Sequence, residues 1–179
     1  MARILPITKE NITGAVDAAF EKHVREYGSR ITNMKSTLAR SLPAFEVYML
    51  WYRLFAEVEK ILGKRLAIFY AYSVSHAAEC PLCSTYFRKA IIDSGENPDK
   101  LILNEQEEDI LRFGALMAKN HGLIADHFFN LLKKYYSEEE LVVLIAFGGQ
   151  MIATNVFNNV IETDIDEYLN DYIKPVKFV

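Results

Sequence analysis

The stretch from Leu66 to Ile92 reads LAIFYAYSVSHAAECPLCSTYFRKAII, and it decides the fold. An apolar helical run leads into Cys80-Pro81-Leu82-Cys83, and a second helical run follows the cysteines. Because proline favours the first position of a helix, the spacing predicts Cys80 as the N-cap and Cys83 at the third helical position. The chain has no other cysteine, so the pattern predicts one pair of thiols at the start of a helix.

A thiol in that position favours the thiolate, because unpaired backbone N–H groups and the positive end of the helix dipole face it. The helix terminus contributes roughly 0.3–1 kcal/mol, which lowers the pKa of a thiol by less than about one unit. Glu79 is a neighbouring negative charge and opposes this shift. A strongly reactive thiol therefore needs a further helper, and His76 is the nearest candidate in the sequence.

The length and charge of the chain limit the classes of function. The 179 residues suit one domain, which we expect to cover residues 1–179. A net charge of −4 gives no attraction to nucleic acid or to anionic membranes, and neither is expected as a partner. The longest apolar stretch, Leu66 to Ala78, is too short to span a bilayer, and no signal peptide is apparent. We therefore expect a cytoplasmic protein, where a close cysteine pair is more often catalytic, redox-active or metal-binding than a permanent disulfide.

Helical periodicity runs through the sequence without a strand pattern, so we predict an all-α fold. Pro43 is expected to stop the second helix and Gly63 to end the third. Asn104 and Ser137 are expected helix caps, and the Gly148-Gly149 pair is expected to let a neighbouring helix approach closely. The predicted helices cover residues 11–27, 34–42, 44–62, 64–79, 81–93, 104–119, 125–136, 137–161 and 164–173.

The order of these features resembles the carboxymuconolactone decarboxylase family, in its alkylhydroperoxidase D-like branch. The resemblance covers about residues 30–170, and four features carry it: an apolar helix that runs into Cys80-x-x-Cys83, an acidic amphipathic helix, the helix start Ser137-Glu138-Glu139-Glu140, and the helix ending with Asn155 and Asn158. It implies an all-α, alkylhydroperoxidase D-like helical domain that forms a homo-oligomer, either a trimer or a hexamer. It also implies the reduction of organic hydroperoxides.

Under this resemblance Cys83 takes the position of the peroxidatic thiol and Cys80 that of the resolving thiol. An external dithiol or a thiol reductase protein would restore the pair. The family's relay histidine, four residues after the second cysteine, is replaced here by Phe87. Its relay glutamate, twelve residues before the first cysteine, is replaced by Ile68. Because neither replacement can move a proton, the resemblance leaves the dithiol without its relay.

The helix before the cysteines offers a substitute relay. Tyr72, His76 and Glu79 lie near the same helix face as Ile68, given 3.6 residues per turn. We hypothesise that His76 takes a proton from a cysteine and that Glu79 orients the imidazole. The predicted catalytic residues are therefore Cys83, Cys80, His76 and Glu79, and no metal, flavin or nicotinamide site is evident in the sequence.

Several alternatives stay open at this point. Helix capping favours Cys80 as the thiolate, whereas the resemblance nominates Cys83, which we expect to attack the peroxide. The cysteines could instead be inert core thiols. His76, Cys80 and Cys83 could supply three metal ligands, although structural zinc normally has four. The chain could also be a thiol–disulfide exchange or redox-sensing protein with little peroxidase activity, or a non-catalytic oligomeric scaffold of the same fold.

Overall fold

A computed structural model describes residues 1–174 of the chain. Within these residues the chain forms α-helices and one short 3₁₀ helix, Glu167–Tyr172, and no β-strand, which confirms the all-α prediction. The bounds of the α-helices are α1 Gly14–Tyr27, α2 Asn33–Leu38, α3 Leu42–Met49, α4 Trp51–Ala77, α5 Pro81–Asp93, α6 Glu105–Lys119, α7 Asp126–Leu132 and α8 Glu138–Ile161.

The predicted helix over 34–42 is wrong, because the chain forms two helices there. Pro43 lies in the first turn of α3, where its missing N–H costs nothing, so it starts a helix instead of stopping one. Gly63 does leave the helical conformation, with φ 75° and ψ 156°, as a kink between the two halves of α4. The region predicted as one helix over 44–62 is therefore divided at Leu50 between α3 and the first half of α4.

Several predicted ends move for local reasons. The first helix begins at Gly14, capped by Thr13, three residues later than predicted. The helix expected over 125–136 ends at Leu132, and the segment expected as a helix over 164–173 is the shorter 3₁₀ helix. Both predicted caps are confirmed: the side chains of Asn104 and Ser137 accept from backbone N–H groups within complete capping boxes.

The second half of α4 is the centre of the main core. It packs against α5, α6 and α8, and the Tyr70 ring is fully buried among them. A Cβ atom added to Gly148 would lie 2.8 Å from the Tyr70 hydroxyl, so the close approach of α8 requires glycine there. The expectation of close packing is confirmed for Gly148 and not for Gly149, which has no atom within 4 Å of such a Cβ.

Helices α1 to α3 form a second, smaller apolar cluster around Phe45 and Leu38. A third cluster joins Cys80, Leu82 and Cys83 to Leu169 of the 3₁₀ helix. The cysteine pair therefore lies between the main core and the amino-terminal helices.

Among the described residues, one helix, α8, is long and apolar enough to cross a membrane by length and composition. The expectation that Leu66 to Ala78 is the longest apolar stretch is wrong, since no charged residue occurs between Leu141 and Ile161. One side of α8 is buried in the core, as in the central helix of a globular domain. The opposite side is exposed and apolar, and it consists of Val142, Ile145, Ala146, Gly149, Ala153, Val156 and Val160.

Candidate active site

The turn between α4 and α5 positions the cysteine pair. Glu79 takes the left-handed conformation, with φ 51°, and reverses the chain after α4. The backbone N–H of Cys80 then donates to the Ser75 carbonyl at 3.2 Å. Asn159 of α8 donates from its amide to the carbonyls of Ala78 and Glu79, at 3.2 and 3.4 Å. The turn is thus held by its own backbone and by α8.

Cys80 is the N-cap of α5, as the sequence predicts. Its Sγ accepts from the backbone N–H of Cys83 at 3.4 Å, and Pro81 lies in the first turn. Both cysteines are free thiols and lie 3.1 Å apart at their closest approach. Cys80 is 1% exposed and Cys83 is 7% exposed, so the pair is shielded from bulk solvent. The spacing in the sequence therefore produces two thiols in direct contact.

Asn158 of α8 supplies the second polar contact of the pair. Its amide nitrogen donates to Cys83 Sγ at 3.2 Å and to Met34 Sδ at 3.3 Å. Its Oδ1 accepts from the Thr163 hydroxyl at 2.9 Å, which fixes the orientation of the amide. The Cys83 sulfur is thus held by a buried hydrogen-bond donor.

The two thiols differ in acidity. The pKa of Cys80 is lowered from its ordinary value because Cys83 donates a hydrogen bond to its sulfur and backbone N–H groups of α5 add to this effect. The pKa of Cys83 is raised well above its ordinary value, because it holds its proton in the hydrogen bond to Cys80 and because it is buried. Cys80 is therefore the more acidic thiol of the pair, and Cys83 keeps its proton in the hydrogen bond to Cys80.

A cavity of about 480 Å³ opens beside Cys83. Cys80 does not line it, so Cys83 is the cysteine that faces the cavity. The volume lies within the usual range of pockets for small organic ligands. Aromatic and thioether side chains form one large part of the wall, from the residues Tyr27, Met34, Tyr48, Met49, Trp51, Tyr52, Tyr86, Phe87, Met151 and Tyr168.

The predicted relay residues lie apart from this cavity. His76 and Glu79 are exposed, and neither belongs to the described residues that line the cavity. The His76 imidazole stacks on the Tyr72 ring at a centroid distance of 5.7 Å, so these two do share a helix face. The relay through His76 and Glu79 stays a prediction. Within residues 1–174, no group of three histidine, cysteine or acidic side chains is arranged to hold a metal ion.

The positions of the missing relay are apolar in the structure too. Phe87 is buried and lines the cavity, and Ile68 is half-buried against the main core. Sequence reasoning missed Lys35 and Tyr52, which come from α2 and α4 and line the same cavity as Cys83. No spacing in the sequence signals them, because their burial follows from the packing of α2 and α4.

Comparison with known proteins supports the fold at low sequence identity. No family model matches the sequence, and no curated protein is significantly similar to it. The debrominase Bmp8 superposes with a TM-score of 0.77 at 17% identity, over 94% of this chain and 95% of its own. A cysteine-to-alanine variant of Bmp8 in complex with 2,3,4-tribromopyrrole superposes equally well.

Two peroxidase-related proteins of uncharacterised function share the same architecture. The protein from Silicibacter sp. TM1040 has a TM-score of 0.74 at 14% identity, over 94% of this chain and 93% of its own. The alkylhydroperoxidase AhpD core protein from Ralstonia eutropha JMP134 has a TM-score of 0.67 at 14% identity, over 94% of each chain. The fold and the cysteine site thus define a helical protein with a buried pair of thiols. This chain has the alkylhydroperoxidase D-like fold, as the sequence resemblance implied.

Proposed function

We propose that this protein is a thiol-dependent antioxidant enzyme that reduces organic hydroperoxides through Cys83 and Cys80. The observation that carries the proposal is the pair of free thiols in contact, one of which lines a cavity of about 480 Å³. The peroxidase-related proteins of the same fold support this role. The cavity gives a small organic substrate access to Cys83 while the rest of the site stays buried.

The proposed cycle begins when Cys83 passes its proton to the Cys80 thiolate. The Cys83 thiolate attacks the peroxide; a sulfur–oxygen bond forms, the oxygen–oxygen bond breaks, and Cys83 becomes a sulfenic acid. The alkoxide takes the proton from Cys80 and leaves as the alcohol. Cys80 then attacks the Cys83 sulfur, and hydroxide leaves as the disulfide forms. The hydroperoxide gains two electrons, and the dithiol loses them.

This route uses Cys80 as both base and resolving thiol, so the missing family relay is not required. The amide of Asn158 stabilises the Cys83 thiolate once it forms, because it already donates to that sulfur. The relay through His76 is a second route. The variant His76→Ala separates the two routes. Unchanged turnover excludes His76 from the relay. A loss of turnover of about 10²-fold or more, which is typical of a missing general base, supports the route through His76.

An external dithiol must reduce the disulfide after each cycle. Because both cysteines are nearly buried, we propose that the reductant is a small dithiol, or a reductase protein that presents one narrow loop to the cavity. The same burial argues against general thiol–disulfide exchange with folded proteins. A dithiol that must be reduced again after each cycle fits a reducing compartment, so we propose a cytoplasmic location.

A second candidate function is the reductive removal of a halogen from an aromatic ring. It is favoured by the fold shared with the debrominase Bmp8 and by the aromatic wall of the cavity. Replacing a carbon–bromine bond by carbon–hydrogen needs two electrons and a proton and releases bromide. Oxidation of the Cys83–Cys80 dithiol to a disulfide supplies the two electrons, and a thiol supplies the proton.

One set of measurements tests these functions. Consumption of cumene hydroperoxide with dithiothreitol is followed for wild type, Cys80→Ser and Cys83→Ser, and disulfide formation is read by mass spectrometry. Turnover that is lost in Cys83→Ser supports the peroxidase. Bromide release from 2,3,4-tribromopyrrole without peroxide turnover supports the dehalogenase. A disulfide that exchanges without turnover of either substrate indicates a redox-exchange or sensing protein, and inert thiols indicate a scaffold.

We also propose that the protein forms a homo-oligomer through the exposed face of α8. The seven apolar residues of this face fall within about 100° of the helix circumference. The positions of these residues are nearly symmetric about residue 151. If the α8 helices of two subunits pack antiparallel, Val142 of one subunit therefore lies against Val160 of the partner subunit. Arg3, at the carboxyl end of α8, would then lie near the acidic start of the partner's α8. Because a two-fold contact joins trimers in pairs, it favours a hexamer over a single trimer.

A further inference from the structure

Lys35 is a buried cation on the wall of the cavity. The residue is 4% exposed, and its ammonium donates to Ser29 Oγ at 2.8 Å, to the Arg30 carbonyl at 2.7 Å and to Tyr52 Oη at 2.9 Å. All three acceptors are neutral. Among the described residues, no carboxylate oxygen lies within 4.0 Å of this ammonium. A buried charge is normally paired, so an unpaired lysine on a cavity wall points to an anion that the cavity receives.

The hydroxyl groups beside Lys35 strengthen this reading. Ser29 Oγ and Tyr52 Oη lie 2.7 Å apart, and each accepts a hydrogen bond from the ammonium. One hydroxyl can donate to the other, which leaves the second with a proton and no acceptor among residues 1–174. Both residues line the cavity. We call Lys35, Ser29 and Tyr52 the anion cluster. The free hydroxyl proton gives this cluster a hydrogen-bond donor, and the Lys35 ammonium gives it a positive charge.

The charges around the cluster are net positive, because two cations, Lys35 and Arg30, share one nearby acid, Asp166. Burial lowers the pKa of Lys35 to about 8, so the ammonium is still mostly charged at neutral pH. Arg30 lines the same cavity with its guanidinium 4.1 Å from the centre of the Tyr168 ring, and it also has no carboxylate within 4.0 Å. Asp166 interacts with both cations from beyond 4.0 Å, and its carboxylate accepts from the backbone N–H of Asn33.

We propose that the anion cluster binds the carboxylate of an organic substrate whose reducible group meets Cys83. The apolar and aromatic wall between them accommodates the body of the substrate. The substrate class is thus an organic acid with an aliphatic or aromatic chain that fills about 480 Å³. The inference rests on the proposed function only in taking Cys83 as the thiol that the substrate meets.

The test is the protection of Cys83 from alkylation by iodoacetamide, located by mass spectrometry. The probes are 4-phenylbutyrate and its neutral amide, 4-phenylbutyramide, which differ in charge and little in shape. A hydrogen bond to a charged group is stronger than one to a neutral group. We therefore expect the carboxylate to protect Cys83 of the wild type at about tenfold lower concentration than the amide. In Lys35→Met the two compounds should protect within about twofold of each other, because the charge is gone.

Matched variants separate binding from damage to the fold. Lys60→Met makes the same change at an exposed lysine paired with Glu57 and should keep the wild-type preference. Lys35→Arg retains the charge and should restore most of the preference, and Tyr52→Phe should weaken it without removing the cation. Three outcomes would overturn the proposal: equal protection by the two compounds in wild type, no protection by either compound, or a carboxylate preference that survives Lys35→Met. Because protection needs no turnover, it can succeed even where peroxidase activity fails.

Discussion

The amide of Asn158 donates to Cys83 Sγ at 3.2 Å, across the interface between α8 and α5. The same amide is oriented by the Thr163 hydroxyl, which donates to its oxygen. This contact links the Cys83 sulfur to a residue more than seventy positions away in the sequence. It also gives Cys83 a donor that stabilises its thiolate, which its burial opposes.

The first prediction concerns this contact. Asn158→Ala removes the hydrogen bond to the Cys83 sulfur and should slow alkylation of Cys83 by about tenfold or more, because a hydrogen bond to a charged group is worth roughly 1.5–3 kcal/mol. The rate is measured by mass spectrometry at fixed pH. Asn130→Ala is the control, since Asn130 is an exposed residue of α7 that does not line the cavity. Equal slowing in both variants would contradict a specific role for Asn158.

The second prediction concerns stability in acid. His23 is 3% exposed, both ring nitrogens lack a partner among the described residues, and burial lowers its pKa to about 4. Between about pH 4 and 6.5 the unfolded chain binds a proton that the folded chain does not, so stability falls as the pH falls through this window. The loss from this residue should reach about 3 kcal/mol near pH 4.

His23→Phe should abolish most of that loss, because phenylalanine has no proton to bind. The free energy of unfolding is measured with urea at pH 4.5 and pH 7.5 for both proteins. His127→Phe makes the same change at an exposed histidine and serves as the control. If His23→Phe and wild type lose the same stability on acidification, His23 is not the cause.

The third prediction uses two neighbouring glycines of α8. Gly148→Ala places a Cβ 2.8 Å from the Tyr70 hydroxyl and 2.9 Å from Met117 Cε, so we expect a loss of about 1–3 kcal/mol from overpacking. Gly149→Ala meets no atom within 4 Å and should gain up to about 1 kcal/mol from helix propensity. Urea unfolding measures both. The same sign of change in the two variants would argue against the close contact of α8 with Tyr70.

The fourth prediction concerns the exposed face of α8. Val156→Lys places a charge in the proposed two-fold contact and should lower the molar mass measured by light scattering. Val24→Lys makes the same change on α1, at a valine that is 45% exposed, and should leave the mass as in wild type. A wild-type protein that is monomeric at every concentration tested would refute the proposed oligomer.

Local sequence signals predict the cysteine site well. The Cys80 cap and the place of Cys83 one turn later follow from spacing and from Pro81, because capping involves only residues within one helical turn. The capping boxes at Asn104 and Ser137 are predicted for the same reason. Pro43 is the local failure: proline favours the first turn of a helix as strongly as it ends one, and the sequence did not distinguish the two.

The sequence by itself determined an all-α chain with two thiols at the start of one helix, because periodicity and capping are local properties. Only the tertiary structure decided which sulfur faces the cavity, that Asn158 contacts Cys83, and that Lys35 lies buried without a carboxylate partner among the described residues. It also placed His76 and Glu79 on the exposed side of the turn. These features depend on how α2, α4, α5 and α8 pack together, and burial and long-range contacts are not encoded in the spacing along any one helix.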